Sequence, residues 1–177
     1  VVSAAHVLIA TGGTPVRDGG FPGSPHCITS EELFGLSRLP KRLTVVGGAY
    51  IALEFASIFA ALGSEVTVLY RGEEILRGFD LETRRHLHEE LTARGLRIVT
   101  GDTFVEVEKT AEGLRGRTKG GLSIAADEIV LAIGRRPNTA GLGLESDGHR
   151  QDLNGAVPVT GVSSTAQPWQ HAVGDLT

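Results

Sequence analysis

From Leu43 onward the apolar positions follow three patterns along the chain: unbroken runs, helical spacing and strict alternation. Leu43 to Val46 form a short apolar run that predicts a buried strand, and Gly47 and Gly48 then turn the chain. Ile51, Phe55, Ile58, Phe59 and Leu62 recur at helical spacing, with Gly63 as the stop. Val66 to Tyr70 predict a second strand. Asp80 to Arg94 predict a second helix, with Asp80 as N-cap, Leu87 and Leu91 on one face and Gly95 as terminator. Leu96 to Val99 read as the strand that follows. The period then drops to two through Phe104, Val105, Glu106, Val107 and Glu108, with turns at Glu112-Gly113 and Gly120-Gly121, which predicts an antiparallel meander. Ile129 to Ile133 close the sheet. The expected fold class is α/β: a Rossmann-like βαβ sheet with an antiparallel β-meander.

One pattern occurs twice outside this block. HVLIATGGTP, from His6 to Pro15, and EIVLAIGRRP, from Glu128 to Pro137, each place an apolar strand-like run before a glycine turn and a proline. They read as strands leaving a domain into connections. RDGGFPGSPHC, from Arg17 to Cys27, is rich in glycine and proline and reads as a surface connection. Thr29 and Glu32 have capping-box spacing ahead of a short helical turn through Leu36. After Pro137 the chain is loop-rich until an apolar stretch from Ala156 to Val159.

Composition narrows the function classes. The 177 residues are 41% hydrophobic and 21% charged, enough to bury a core and to form a soluble globular piece. Net charge is −4, with 17 basic residues scattered among 21 acidic ones, so neither a nucleic acid nor an anionic membrane is an expected partner. The most apolar helical stretch, Ile51 to Leu62, contains Glu54 and is too short to cross a bilayer, and no signal segment opens the chain; a cytoplasmic location is expected. Cys27 is the only cysteine, which excludes an internal disulfide. The six histidines form no metal set. His86 and His88 stand two apart on a helix and point to different sides, so solvent-facing histidines are expected. The chain does not begin with methionine, which suggests a fragment of a longer protein.

The candidate chemistry lies where the first predicted strand meets its helix. A glycine turn at that junction lets phosphate oxygens reach backbone N–H groups at the positive end of the helix. Gly47 is the first turn position, Gly48 an unobstructed neighbour and Ala52 the small residue that lets helix lie close to strand. The alternative is a tight structural turn of an ordinary α/β sheet. NAD binders place an acid about 20 residues further on for the ribose 2′-hydroxyl. Tyr70 occupies that place here, followed by Arg71 and, one loop on, Arg77. Two guanidiniums can grip a 2′-phosphate, so the pattern favours NADPH; alternatively both are solvated charges facing Glu73 and Glu74. No G-x-S-x-G elbow or P-loop is present.

GGAYIALEFA, YRGEEILRGFD, AIGRRPNTAGLGLE and HAVGDLT, in that order and spacing, resemble the pyridine nucleotide-disulfide oxidoreductases, and within them the glutathione reductases. The resemblance covers essentially the whole chain. It implies an NADPH domain inserted in a split FAD domain, with boundaries at 1–20 (FAD-domain strand and connection), 21–40 (linker with a short helix), 41–157 (NADPH domain) and 158–177 (return into the FAD domain). It further implies that Gly48, Ile51, Arg71, Arg77 and Gly134 contact NADPH and that Tyr50 covers the flavin. Glu54 would pair with a lysine of the FAD domain, although a helix face exposed at that position reads the same. Asp175 would bind FAD, although a loop aspartate capping a helix looks identical. Where Ala49 stands the family usually has glycine, so its methyl is expected to weaken, without abolishing, binding of the pyrophosphate. No catalytic residue is expected in the chain, since the resemblance places the redox cysteine pair and the catalytic histidine elsewhere; His171 is not that base. The implied full-length enzyme is a homodimer that passes hydride from NADPH to FAD and then reduces glutathione disulfide. Two alternatives stand beside it: a related reductase of the dihydrolipoamide dehydrogenase kind, and a nucleotide-binding module without chemistry.

Overall fold

Fourteen α-helices and β-strands are present in a computed structural model that describes residues 2–144, 148 and 151–177, including short strands at Gly13–Pro15 and Arg135–Pro137 where connections were expected. In chain order they are β1 (Val7–Ile9), β2 (Gly13–Pro15), α1 (Ser30–Leu33), β3 (Arg42–Val46), α2 (Tyr50–Ala61), β4 (Glu65–Tyr70) and α3 (Leu81–Ala93). Then come β5 (Arg97–Thr100), β6 (Phe104–Thr110), β7 (Gly113–Thr118), β8 (Ser123–Ala126), β9 (Glu128–Leu131), β10 (Arg135–Pro137) and β11 (Gln170–Ala172). Contacts divide the chain into two units: Val16–Ile133, and Val1–Pro15 together with Gly134–Thr177.

In the first unit, β5-β4-β3-β9 form an all-parallel sheet in that order. Parallel strands covered on both faces must be apolar on both, which explains the nearly unbroken hydrophobic runs. One face carries Val45, Val66, Val68 and Val130, which pack with Ala52, Leu53, Phe55, Ala56 and Phe59 of α2 and Leu91 of α3. The other face carries Val46, Leu69, Ile129 and Leu131, packed with Phe104, Val107, Leu114, Ile124 and Ala126 of the antiparallel meander β6-β7-β8. The result is a layer of helices, a parallel sheet and a covering meander.

The caps form as the sequence predicts. Asp80 accepts from the N–H groups of Glu82 and Thr83 at the start of α3, and Thr29 and Glu32 complete a capping box on α1. The Arg17–Cys27 stretch is a largely exposed connection, as expected, but it is anchored at Phe21. Phe21 is buried against Phe104, ring centroids 5.8 Å apart, and Val107 donates to the Pro22 carbonyl at 2.9 Å. An aromatic side chain that finds an apolar slot on the meander pins a segment whose composition otherwise favours a loop. By contacts, residues 16–40 group with the parallel-sheet unit and residues 134–157 with the other.

That second unit has two small sheets. β1 pairs with β11 in parallel, and β2 pairs with β10 antiparallel. Ile9, Leu144, Val157, Ala172 and Leu176 form its core. Ala156 to Val159 make no strand; Val157 is buried and donates a single hydrogen bond to the Leu176 carbonyl. Glu145, the last residue of the third quoted motif, lies outside the described residues.

Candidate functional site

The turn after β3 lies at the carboxyl edge of the parallel sheet, at the junction where the chain leaves β3 toward β4 on one side while β9 lies on the other. Open α/β sheets bind ligands at such a switch point. Gly47 has φ +141°, and a Cβ there would stand 2.2 Å from the Ala132 carbonyl oxygen, so this position excludes any side chain. A Cβ on Gly48 would fall 2.5 Å from the Tyr70 ring, and one on Gly72 within 2.6 Å of the same ring. Tyr70 therefore rests on backbone that only glycine leaves open. The aromatic residue that replaces the expected acid is a packing element of the turn.

Ala49 is the N-cap of α2, extended at φ −87° and ψ 176°, exposed, and without a side chain that can cap. The N–H groups of Gly48, Ala49, Tyr50, Ile51 and Ala52 meet no acceptor among the described residues. Unpaired donors at the positive end of a twelve-residue helix form an anion site. The donor set fits a pyrophosphate, with Gly48 through Ile51 as the residues that would hold it. On α2, Tyr50, Glu54 and Ile58 stand four apart on one exposed face. Glu54 has no ion pair among the described residues, and Ile51 packs partly against the core.

The loop between β4 and α3 is fastened to this turn. Leu76 donates its N–H to the Gly48 carbonyl at 2.6 Å, and Gly101 donates to the Gly72 carbonyl at 2.8 Å. Ile75 is fully buried beneath it. Arg71 and Arg77 are exposed, and neither forms an ion pair with Glu73 or Glu74 among the described residues. Glu74 instead receives His88 at 2.7 Å. His88 is thus half-buried rather than solvent-facing, because α3 turns it toward the loop; His86 is exposed. Burial opposes ionisation of Glu74, but the hydrogen bonds from His88 and the Ile75 N–H hold its carboxyl below the usual range.

In the other unit, Asp175 accepts from Arg135 Nε at 2.8 Å, and the same guanidinium donates to the Gly13 carbonyl. Gly134 opens this unit, exposed and at φ +133°.

The sequence profile described as pyridine nucleotide-disulphide oxidoreductase matches residues 1–177. The chain belongs to that family. It is 44% identical over 176 residues to the glutathione reductase of Burkholderia cepacia, covering 99% of this chain and 39% of that protein. It is also 42% identical over 176 residues to the trypanothione reductase of Leishmania donovani, covering 97% of this chain and 35% of the relative. The chain thus spans well under half the length of these relatives. Among solved structures it resembles a cysteine-to-serine mutant of the flavoprotein disulfide reductase RclA of Escherichia coli in complex with Cu(II), with TM-score 0.87, 30% identity and coverage of 97% of this chain and 39% of that one. An engineered water-forming NADPH oxidase bound to NADPH superimposes with TM-score 0.83 at 25% identity, covering 99% of this chain and 40% of that one.

Four residues in the two units carry little sequence signal of their own. Arg84 and His88 lie on a polar helix, and only the packing of α3 shows that they face the loop. Leu76 adopts φ +55°, which no leucine advertises. Arg135 sits far from Asp175 in sequence, though its place beside a glycine in a strand-end turn offered a weak hint.

Proposed function

We infer that the Val16–Ile133 unit binds NADPH and that the full-length protein is a flavin-dependent disulfide reductase acting on glutathione disulfide or a similar small disulfide. When bound, the dinucleotide supplies a hydride to the flavin. This chain's residues bind and orient it: N–H groups from Gly48 to Ile51 receive the pyrophosphate, and Arg71 and Arg77 receive the 2′-phosphate. On the exposed face of α2, Tyr50 is the residue to cover the flavin and Glu54 the one to pair with a lysine of the FAD domain, and Gly134 is a further coenzyme contact, as the family resemblance implies. In the second unit Asp175, with Arg135, serves the flavin. Dimeric assembly and a cytoplasmic location remain parts of the same proposal; among the described residues no helix is long and apolar enough to cross a membrane.

The observation that carries the choice of NADPH is the set of residues around Tyr70. The engineered NADPH oxidase carries a glycine-to-alanine change nineteen residues before an alanine-to-arginine change. An aspartate is replaced immediately before that arginine, and a proline-to-arginine change follows six residues after it. Ala52, Arg71 and Arg77 have the same spacing and the same side chains, and Tyr70, like the engineered alanine, carries no acid. Removing an acid and adding two cations favours a ribose phosphate over a ribose hydroxyl.

Calorimetric titration with NADPH and NADH at moderate salt tests this. NADPH should bind at least about tenfold more tightly, equivalent to roughly 1.4 kcal/mol. Equal affinities would favour the dihydrolipoamide dehydrogenase-like alternative, and no binding of either would favour a module without this chemistry.

A further inference from the structure

Arg71 and Arg77 share their loop with two acids, Glu73 and Glu74, and a carboxylate free to reach either guanidinium would neutralise it and repel a phosphate. Glu74 stands three residues from each arginine. It forms an ion pair with neither: its Oε1 receives His88 Nδ1 at 2.7 Å and the Ile75 N–H at 2.9 Å. The backbone of the same segment is held from the same helix. Arg84 donates through Nε to the Ile75 carbonyl at 2.7 Å and through a terminal nitrogen to the Glu74 carbonyl at 2.8 Å. Arg84, Leu87, His88 and Leu91 recur at helical spacing, and these are the residues of α3 that are partly or fully buried. Two of the four inward positions of this helix are thus spent on fastening a loop rather than filling a core. The loop needs fastening, because Leu76 sits in the left-handed region, which a leucine adopts only when its surroundings hold it there.

Resting on the NADPH reading above, we propose that Arg84 and His88 are positioning residues for coenzyme choice: Arg84 fixes the loop, and His88 withdraws Glu74, so that Arg71 and Arg77 stay free for the 2′-phosphate. Preorganised, unpaired cations lose less on binding than cations that must first leave a carboxylate. Neither residue touches the coenzyme. The effect therefore falls on the 2′-phosphate and not on the pyrophosphate, whose donors come from the turn before α2.

The test uses adenosine 2′,5′-bisphosphate and 5′-AMP as paired probes, titrated into the wild type, Arg84→Met, Arg84→Lys, His88→Leu and the double variant His88→Leu with Glu74→Gln. His88→Leu and Arg84→Met should each weaken the bisphosphate by about tenfold while 5′-AMP changes by less than about twofold. Removing the freed acid in the double variant should restore most of the bisphosphate affinity, a rescue that a purely structural role for His88 would not give. Arg84→Lys should recover part of the loss. Melting temperatures identify any variant that does not fold, in which case Glu74→Gln alone, which should leave the preference at or above the wild-type value, carries the test. An unchanged preference in both Arg84→Met and His88→Leu, or a His88→Leu loss that Glu74→Gln does not rescue, overturns the proposal while the NADPH reading stands. If the wild type itself does not distinguish the two probes, the NADPH reading fails, and the proposal fails with it.

Discussion

Leu76 donates its backbone N–H to the carbonyl of Gly48 across 2.6 Å, so the loop that carries Arg77 is hydrogen-bonded to the turn that would receive a pyrophosphate. The two ends of an adenosine moiety, its 5′-phosphate and its 2′ position, would meet segments that are joined to each other.

Replacing both Arg71 and Arg77 by glutamine should remove most of the preference for NADPH. Each charge-assisted contact contributes about 1.5–3 kcal/mol, so NADPH should weaken by at least about tenfold with NADH little changed. Titration of the double variant with both coenzymes decides; a preference equal to wild type excludes the arginines from that role.

Ala49→Gly should tighten NADPH binding. The alanine methyl stands at the N-cap beside the free donors, and overpacking at a close approach costs roughly 1–3 kcal/mol. Glycine is also the better N-cap residue, so a small rise in melting temperature should accompany the gain. An affinity that does not move shows that the methyl points away from the phosphate.

Gly48→Ala should weaken coenzyme binding and lower stability together, since its Cβ would meet the Tyr70 ring at 2.5 Å. A loss of about 1–3 kcal/mol is expected. Tyr70→Val in the same chain should return part of it, because the obstructing ring is gone. Measuring all four forms as a cycle gives the coupling, and a coupling near zero would refute the contact as its cause.

Glu32 should contribute to acid sensitivity. The Arg17 guanidinium, followed by the Thr29 N–H, holds its carboxyl down at about 2, against about 4.3 for a free glutamate. A depressed folded-state value means that the contribution is complete above the unfolded value and disappears as pH falls from about 4.3 toward 2. Both side chains are well exposed, so the effect is small. Melting temperatures of wild type and Glu32→Gln should converge over that interval; parallel curves would count against the linkage.

The strands and helices of the parallel-sheet unit were legible in the chain because each is a local pattern. Valine-rich runs, a helical apolar stripe and the caps at Asp80 and Thr29 state their own conformation, and Gly47, Gly48, Arg71 and Arg77 mark the candidate site by type and spacing. Other features depended on partners distant in sequence. Nothing local indicates that Phe21 leaves a glycine-rich connection to pack on Phe104, or that the seams between units fall at Pro15 and Ile133. Nor does spacing reveal that Tyr70 lies on Gly48, that His88 holds Glu74, or that Arg135 reaches Asp175. Backbone conformation is set largely by neighbours in the chain, whereas burial and the pairing of charges are set by whichever surfaces meet once the sheet has formed. The sequence by itself therefore determined the elements of the parallel-sheet unit and the turn at which we propose that a nucleotide docks; only the tertiary structure decided which of the charges near that turn are paired.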